Sequence, residues 1–135
     1  MGGLAGHIDC WHDDIITIKN SYNLGQVIAT LTVAGIVCDD GRDANLFIKN
    51  VYNAGKVTQK DDNGKSYAIS GMGELNNVFF WDSCGAKNMS KGIAKKKDDM
   101  KKENIIGLLN NDLETRIWIK DIKNINEGFP VLNWQ

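Results

Sequence analysis

Ile18-Lys19-Asn20-Ser21-Tyr22-Asn23-Leu24-Gly25-Gln26-Val27 returns as Ile48-Lys49-Asn50-Val51-Tyr52-Asn53-Ala54-Gly55-Lys56-Val57, offset by 30 residues, with Ile, Lys, Asn, Tyr, Asn, Gly and Val unchanged. A fixed offset of that size marks a repeat architecture: one unit cannot bury its own apolar face, so units stack and share a core. The surrounding segments read as short strands. Ile15-Ile16-Thr17-Ile18 and Leu46-Phe47-Ile48 are apolar and partly β-branched, and the stretches 27–33 and 66–70 alternate. Two or three short strands per period predict a mainly β chain, a parallel β-helix or β-solenoid-like stack with coils about 4.8 Å apart. Equivalent residues then stand above one another: Ile18 on Ile48, Tyr22 on Tyr52, Asn23 on Asn53, Val27 on Val57. Such columns let identical ring faces and amides satisfy each other. Gly25 and Gly55 are expected to turn the chain at positive φ.

A shorter phrase also recurs, as Gly3-Leu4-Ala5-Gly6, Gly35-Ile36-Val37-Cys38 and, eroded, Gly71-Met72-Gly73, spaced by 32 and 36 residues. The third coil is degenerate. Val78-Phe79-Phe80-Trp81-Asp82-Ser83-Cys84-Gly85 puts Gly85 30 residues after Gly55 and, in strict register, Asp82 opposite Tyr52. Turns rich in Asp, Asn and Gly separate the phrases at 9–14, 39–43 and 59–65, Asn63-Gly64 being the clearest. Residues 1–87 are thus read as about three solenoid coils and 88–135 as a cap over the last one. The cap begins with a helix at about 98–110, capped by Asp98 or Asp99, with Met100, Ile105, Ile106, Leu108 and Leu109 on its apolar side. Asn110-Asn111 ends the helix and a strand tail follows.

At 135 residues the chain has room for one domain with a real core. A hydrophobic content of 42% and a charged content of 24% are globular values. Sixteen basic against 17 acidic residues give no electrostatic case for nucleic acid. No apolar run approaches the roughly 18 residues of a membrane-spanning helix, so no membrane insertion is expected. Met1 to Gly6 lacks the charged flank and apolar stretch of a secretory signal, and Gly6 stands where myristoylation wants Ser or Thr. Cys10, Cys38 and Cys84 are too few for a disulfide framework and read as buried small hydrophobes.

The two phrases together, Gly3-Leu4-Ala5-Gly6 or Gly35-Ile36-Val37 with Ile-Lys-Asn-x-Tyr-Asn-x-Gly-x-Val, resemble the GLUG-motif repeats of bacterial surface proteins. Those occur in adhesin-like chains and in non-catalytic regions of some immunoglobulin A peptidases. The ending is similar as well: Phe79-Phe80-Trp81, Leu108-Leu109-Asn110, Trp118, then Asn126-Glu127-Gly128-Phe129-Pro130-Val131-Leu132-Asn133-Trp134. Cys38 departs from the pattern, which favours Gly, and the 71–73 phrase is eroded. The resemblance implies a secreted or cell-surface scaffold or adhesion module, not an enzyme, with host glycans or proteins as partners. It also implies preceding repeats of a longer parent chain, since Met1 falls directly before a repeat phrase. The runner-up readings are a fragment of a β-helical carbohydrate-active enzyme and a purely structural solenoid cap.

Candidate chemistry is sparse. His7, Asp9, Cys10, His12, Asp13 and Asp14 combine imidazole with carboxylate, which suits zinc, but the second unit has no His there and a polar turn is the preferred reading. Asp39, Asp40 and Asp43, and Asp61-Asp62-Asn63, offer hard oxygen ligands without the spacing of a calcium loop. Neither nucleophilic catalysis nor a carboxylate pair stands out, so no catalytic, cofactor-binding or metal residue is assigned and no cofactor is expected. The Lys-rich stretch 87–102 is diluted by acidic residues and reads as a solvated helix flank. Trp81, Trp118 and Trp134 sit in aliphatic surroundings and are expected in the core; Trp11, among polar residues, is the candidate sugar platform.

Overall fold

The computed structural model describes residues 1–8, 14–38, 45–88 and 90–135. Each copy of the long phrase builds strands. The first repeat supplies β1 (Ile15–Asn23), β2 (Val27–Ala29) and β3 (Thr32–Ala34); the second supplies β4 (Asn45–Asn53), β5 (Val57–Gln59) and β6 (Lys65–Tyr67). β7 (Glu74–Trp81) opens the third and β8 (Ile93–Lys95) follows it. All pairing among these is parallel: β1-β4-β7-β8 in one sheet, β2 with β5, and β3 with β6. The chain is therefore mainly β with parallel sheets. The expected register is the one formed, with Ile18 against Ile48, Tyr22 against Tyr52, Asn23 against Asn53 and Val27 against Val57.

The third repeat does not keep the 30-residue step. Tyr52 pairs with Phe79 and Asn53 with Phe80, so Phe79 and not Asp82 continues the tyrosine column. Leu75-Asn76-Asn77-Val78-Phe79 is the third copy of Ile48-Lys49-Asn50-Val51-Tyr52, and Asn77 Nδ2 donates to Asn50 Oδ1 at 3.0 Å across an offset of 27 residues. The short phrase shifts too. Ala5 bridges Val37 as expected, but the N–H groups of Ile36 and Val37 both donate to the Ile69 carbonyl, so Ala68-Ile69-Ser70 is the third copy and not Gly71-Met72-Gly73.

Positive φ falls on Asn20, Asn50 and Asn77, not on Gly25 and Gly55. Asparagine tolerates the left-handed region better than other residues with a Cβ, so each long strand bends at its Asn. Gly55 answers a different need: a Cβ there would lie 2.1 Å from the Gly25 carbonyl oxygen, so the backbones of stacked units meet at this point. The two phrases also meet each other. A Cβ on Gly35 would lie 2.2 Å from Asn53 Nδ2, and one on Gly3 would lie 3.1 Å from Asn23 Nδ2. Asn53 sits buried in the resulting gap, its Nδ2 donating to the Ala68 carbonyl at 2.9 Å and its Oδ1 accepting from Gly55 N–H and Asn23 Nδ2. An amide removed from water in this way must have its partners supplied by the protein.

Two aliphatic groups fill the space inside the strands: Ile36, Val37, Leu46, Ile48, Val51, Ile69 and Val78, and beside them Val27, Val33, Val57, Ala68 and Cys84. The remaining chain forms α1 (Lys97–Met100), α2 (Glu103–Leu109) and an antiparallel pair, β9 (Trp118–Ile119) with β10 (Val131–Leu132). The expected single helix is broken at Lys101-Lys102. Its N-caps are Lys96 and Lys102, neither with a side-chain cap bond, instead of Asp98 or Asp99; both aspartates lie in the first turn of α1, where they complement the helix dipole. Met100, Ile105, Ile106 and Leu109 are buried, whereas Leu108 is exposed. Asn110 ends α2 and ties it to β9, its Oδ1 accepting from the N–H groups of Ile117 and Trp118.

This segment lies along the repeats instead of over the last one. Met100, Ile105, Ile106, Leu109, Trp118, Phe129 and Leu132 pack on Tyr52, Ala54 and Phe79, with Tyr22, Leu24 and Trp81 at the margins. It covers the outward aromatic column and reaches back to the first repeat. The expected boundary at residue 88 also falls before β8, which still pairs with β7.

Candidate functional site

The side chains that the long phrase turns outward make the most structured polar and aromatic assembly of the described chain. Tyr22 and Tyr52 stack with centroids 5.2 Å apart and planes 6° apart, as in-register pairing of neighbouring strands dictates. Trp118 tilts against both rings, at 6.1 and 5.5 Å, and Phe129 stacks on Tyr52 at 6.1 Å. The Tyr52 hydroxyl donates to the Pro130 carbonyl at 2.7 Å and accepts from Asn126 Nδ2 at 2.9 Å. Burial pushes its pKa far above the ordinary tyrosine value, so it remains a neutral donor.

Asp121 holds the next loop. Its Oδ1 accepts from Ile125 N–H at 2.9 Å, and its Oδ2 accepts from Asn126 and Gly128 N–H at 2.8 and 3.0 Å. Burial raises the carboxyl, but the surrounding backbone N–H groups outweigh it and hold the pKa below the usual carboxylate value. Asn124, Glu127 and Gly128 take positive φ to wrap this group. A carboxylate with its lone pairs spent on its own loop is a pin for the Asn126–Tyr52 contact, not a general base.

The exposed counterpart lies at the Tyr22 end. Gln135 Nε2 donates to the Tyr22 hydroxyl at 2.8 Å, bringing the tail to the first repeat. Beside it is a shallow, mostly apolar pocket of about 130 Å³, lined by Ile119, Ile122, Ile125, Val131, Asn133 and Gln135 among others. Ile122, Ile125 and Trp134 are 86%, 55% and 66% exposed. Lys120, Asp121 and Lys123 also line it, so apolar walls are joined by amide and charged groups, a combination that suits contact recognition.

His7 is exposed, and among the described residues no three His, Cys, Asp or Glu side chains gather as a metal-holding group. Asp9, Cys10, Trp11, His12 and Asp13, and Asp39, Asp40 and Asp43, lie outside the described residues. Asp61 Oδ1 accepts from Asn63 N–H at 2.9 Å, and Asp62 pairs with Lys87 at 3.4 Å across exposed surface. The 59–65 stretch is a connection between β5 and β6, which pair with β2 and β3 and not with each other. Cys38 and Cys84 are buried and free, and burial raises the Cys84 thiol, which keeps it protonated and unreactive.

Several lysines of 87–102 have partners in the fold. Lys97 Nζ stands 4.3 Å from the Trp81 ring centroid, Lys101 Nζ stands 4.7 Å from that of Phe129, and Lys91 donates to the Gly73 carbonyl. Trp118 is fully buried as expected and Trp81 half-buried, but Trp134 is on the surface. Its neighbours Val131 and Leu132 end the tail's buried pairing, and the two residues after Asn133 lie beyond it. No local sequence pattern connects Tyr52, at an outward strand position, with the polar loop of Asp121 and Asn126 far along the chain.

No protein-family model, curated protein or solved structure matches the chain.

Proposed function

We propose that the chain is a β-solenoid module of a GLUG-like bacterial surface protein, non-enzymatic, serving as scaffold and adhesion surface towards host glycans or proteins. The observation that carries this reading is the pairing of the doubled phrase, residue on equivalent residue, through two parallel strand pairs, β1 with β4 and β2 with β5. Stacking of that kind fits a module whose repeats specify shape, with recognition left to what does not repeat. The non-repeating surface offering the best contact chemistry is the shallow pocket walled by Ile122 and Ile125, with exposed Trp134 between two of its lining residues, Asn133 and Gln135, in the chain. A glycan array and a panel of host-matrix proteins, probed with the folded chain, test the adhesive role. Binding that falls at least about tenfold in a Trp134→Ala chain, as for loss of an aromatic anchor, supports it. A folded sample that binds nothing on either panel removes adhesion and leaves a spacer.

A further inference from the structure

β1 stands at the end of the four-stranded sheet, paired with β4 on one side and with no described strand on the other. A parallel strand sends its backbone hydrogen-bonding groups to both sides in turn, so this edge has donors and acceptors available along its length. The edge is also chemically the one that β4 presents to β1. Ile48, Lys49, Tyr52, Asn53 and Val57 receive Ile18, Lys19, Tyr22, Asn23 and Val27 in register, and the first unit carries those same residue types to its own open side.

Three details show what the edge lacks. Ile48, Tyr52 and Asn53 are fully buried, whereas Ile18, Tyr22 and Asn23 are only partly buried. Asn53 Oδ1 accepts two hydrogen bonds, from Gly55 N–H at 3.1 Å and Asn23 Nδ2 at 2.9 Å; Asn23 Oδ1 accepts one, from Gly25 N–H at 3.1 Å. Gly55 must be glycine because a Cβ would meet the Gly25 carbonyl at 2.1 Å, yet at Gly25 the nearest atom is Asn23 Oδ1 at 3.4 Å. Gly25 lacks a left-handed φ as well. Nothing within the described chain requires glycine at position 25; a backbone lying on its outer side would.

We propose that the open edge of the first unit is a docking site for one further unit of the same phrase, supplied from outside these 135 residues and added parallel and in register. Its Tyr stacks on Tyr22, its Asn Nδ2 reaches Asn23 Oδ1, and its glycine carbonyl lies over Gly25. A second copy of this chain is not the occupant. The opposite end of the sheet is β8, Ile93–Lys95, which lacks the phrase, and two β1 edges could meet only antiparallel, so copies have no edge to add parallel and in register. The proposal rests on the stacked-unit reading above and names the partner of that stack.

The test adds a synthetic peptide spanning residues 14–34 to the intact chain and follows amide hydrogen exchange. Exchange at β1 amides is expected to slow by about tenfold or more with this peptide and not with a scrambled one. The Gly25→Ala chain is expected to melt like the wild type, since its Cβ has room, and to lose the protection. A peptide carrying Asn23→Ala, which leaves the protein untouched, is expected to bind about tenfold more weakly through the lost amide bond. No protection by the soluble phrase peptide, equal protection in the Gly25→Ala chain, or equal binding of the Asn23→Ala peptide overturns the proposal. So does sedimentation showing a dimer of the chain alone with protected β1 amides, which would make a second copy the occupant. Internal stacking is read separately, from the stability of a Gly55→Ala chain, so failed docking and failed stacking give different results.

Discussion

Gly55 and Gly107 stand at opposite extremes of what the fold demands of a glycine. At Gly55 the obstacle is backbone, the Gly25 carbonyl at 2.1 Å, which cannot move without separating the units. Gly55→Ala is therefore expected to destabilise the chain by about 3 kcal/mol, at the upper end of overpacking penalties, measured by denaturant unfolding. Gly107 lies in α2, exposed, with nothing within 4 Å of its would-be Cβ. Gly107→Ala should raise stability by about 0.5–1 kcal/mol, because alanine loses less backbone entropy in a helix. A melting temperature unchanged or lowered in Gly107→Ala would contradict that placement. Tyr52→Phe removes a buried hydroxyl that serves both Pro130 and Asn126, and about 1–2 kcal/mol of stability should go with it.

At the scale of elements, the segment from α1 to β10 depends on a few anchors to hold it on the aromatic column. Trp118 is fully buried between Tyr22, Tyr52 and the helices. Trp118→Ala should cost about 3–5 kcal/mol in chemical denaturation, as for other large aromatic deletions from a core. Asp121 gives the 121–128 loop a pH dependence of definite sign. Its folded pKa lies below the unfolded value near 3.9, so the folded state binds fewer protons as pH falls through that range. Its stabilising contribution is complete above the unfolded pKa and is lost as pH falls through the folded one. Protection of the amides of Ile125, Asn126 and Gly128, relative to their intrinsic exchange at each pH, should fall below about pH 4, and Asp121→Asn should abolish that response while lowering stability at neutral pH. A loop whose protection is flat with pH in the wild type would rule this out.

For the whole molecule, the aromatic column ties repeats and flank into a common core. Tyr52 and Phe79, buried by the flank, are outward-facing on the parallel sheet. Ending the chain after Lys96 should expose them together with Ala54 and Trp81, giving dye binding and self-association in sedimentation. A soluble monomeric truncation would show that the repeats stand without their flank.

Much of the pairing was legible in the residues because in-register parallel stacking turns three-dimensional contact into a fixed sequence offset. Ile18, Tyr22, Asn23 and Val27 needed only their copies 30 residues on to be placed. The third unit was harder, because its phrase had exchanged Tyr for Phe and Asn for Phe and its connecting turn had shortened, so Gly85 was the easier landmark and the wrong one. The pocket walled by Ile122 and Ile125 and the Asp121 loop gave no periodic signal at all; the loop's contact with Tyr52 joins segments distant in the chain.

The residues alone thus determined that the chain repeats, which side chains form columns, and that the region after the repeats is amphipathic. They could do so because propensity, alternation and repeat offset are one-dimensional properties. Only the tertiary structure decided why Gly35 and Gly55 are glycines, that Asn20, Asn50 and Asn77 bend the strands, and that the last segment lies along the stack and not across its end. Those depend on what stands opposite a given atom. An amphipathic helix carries the need for an apolar partner but not its address, and here the partner is a column of rings assembled from all three repeats.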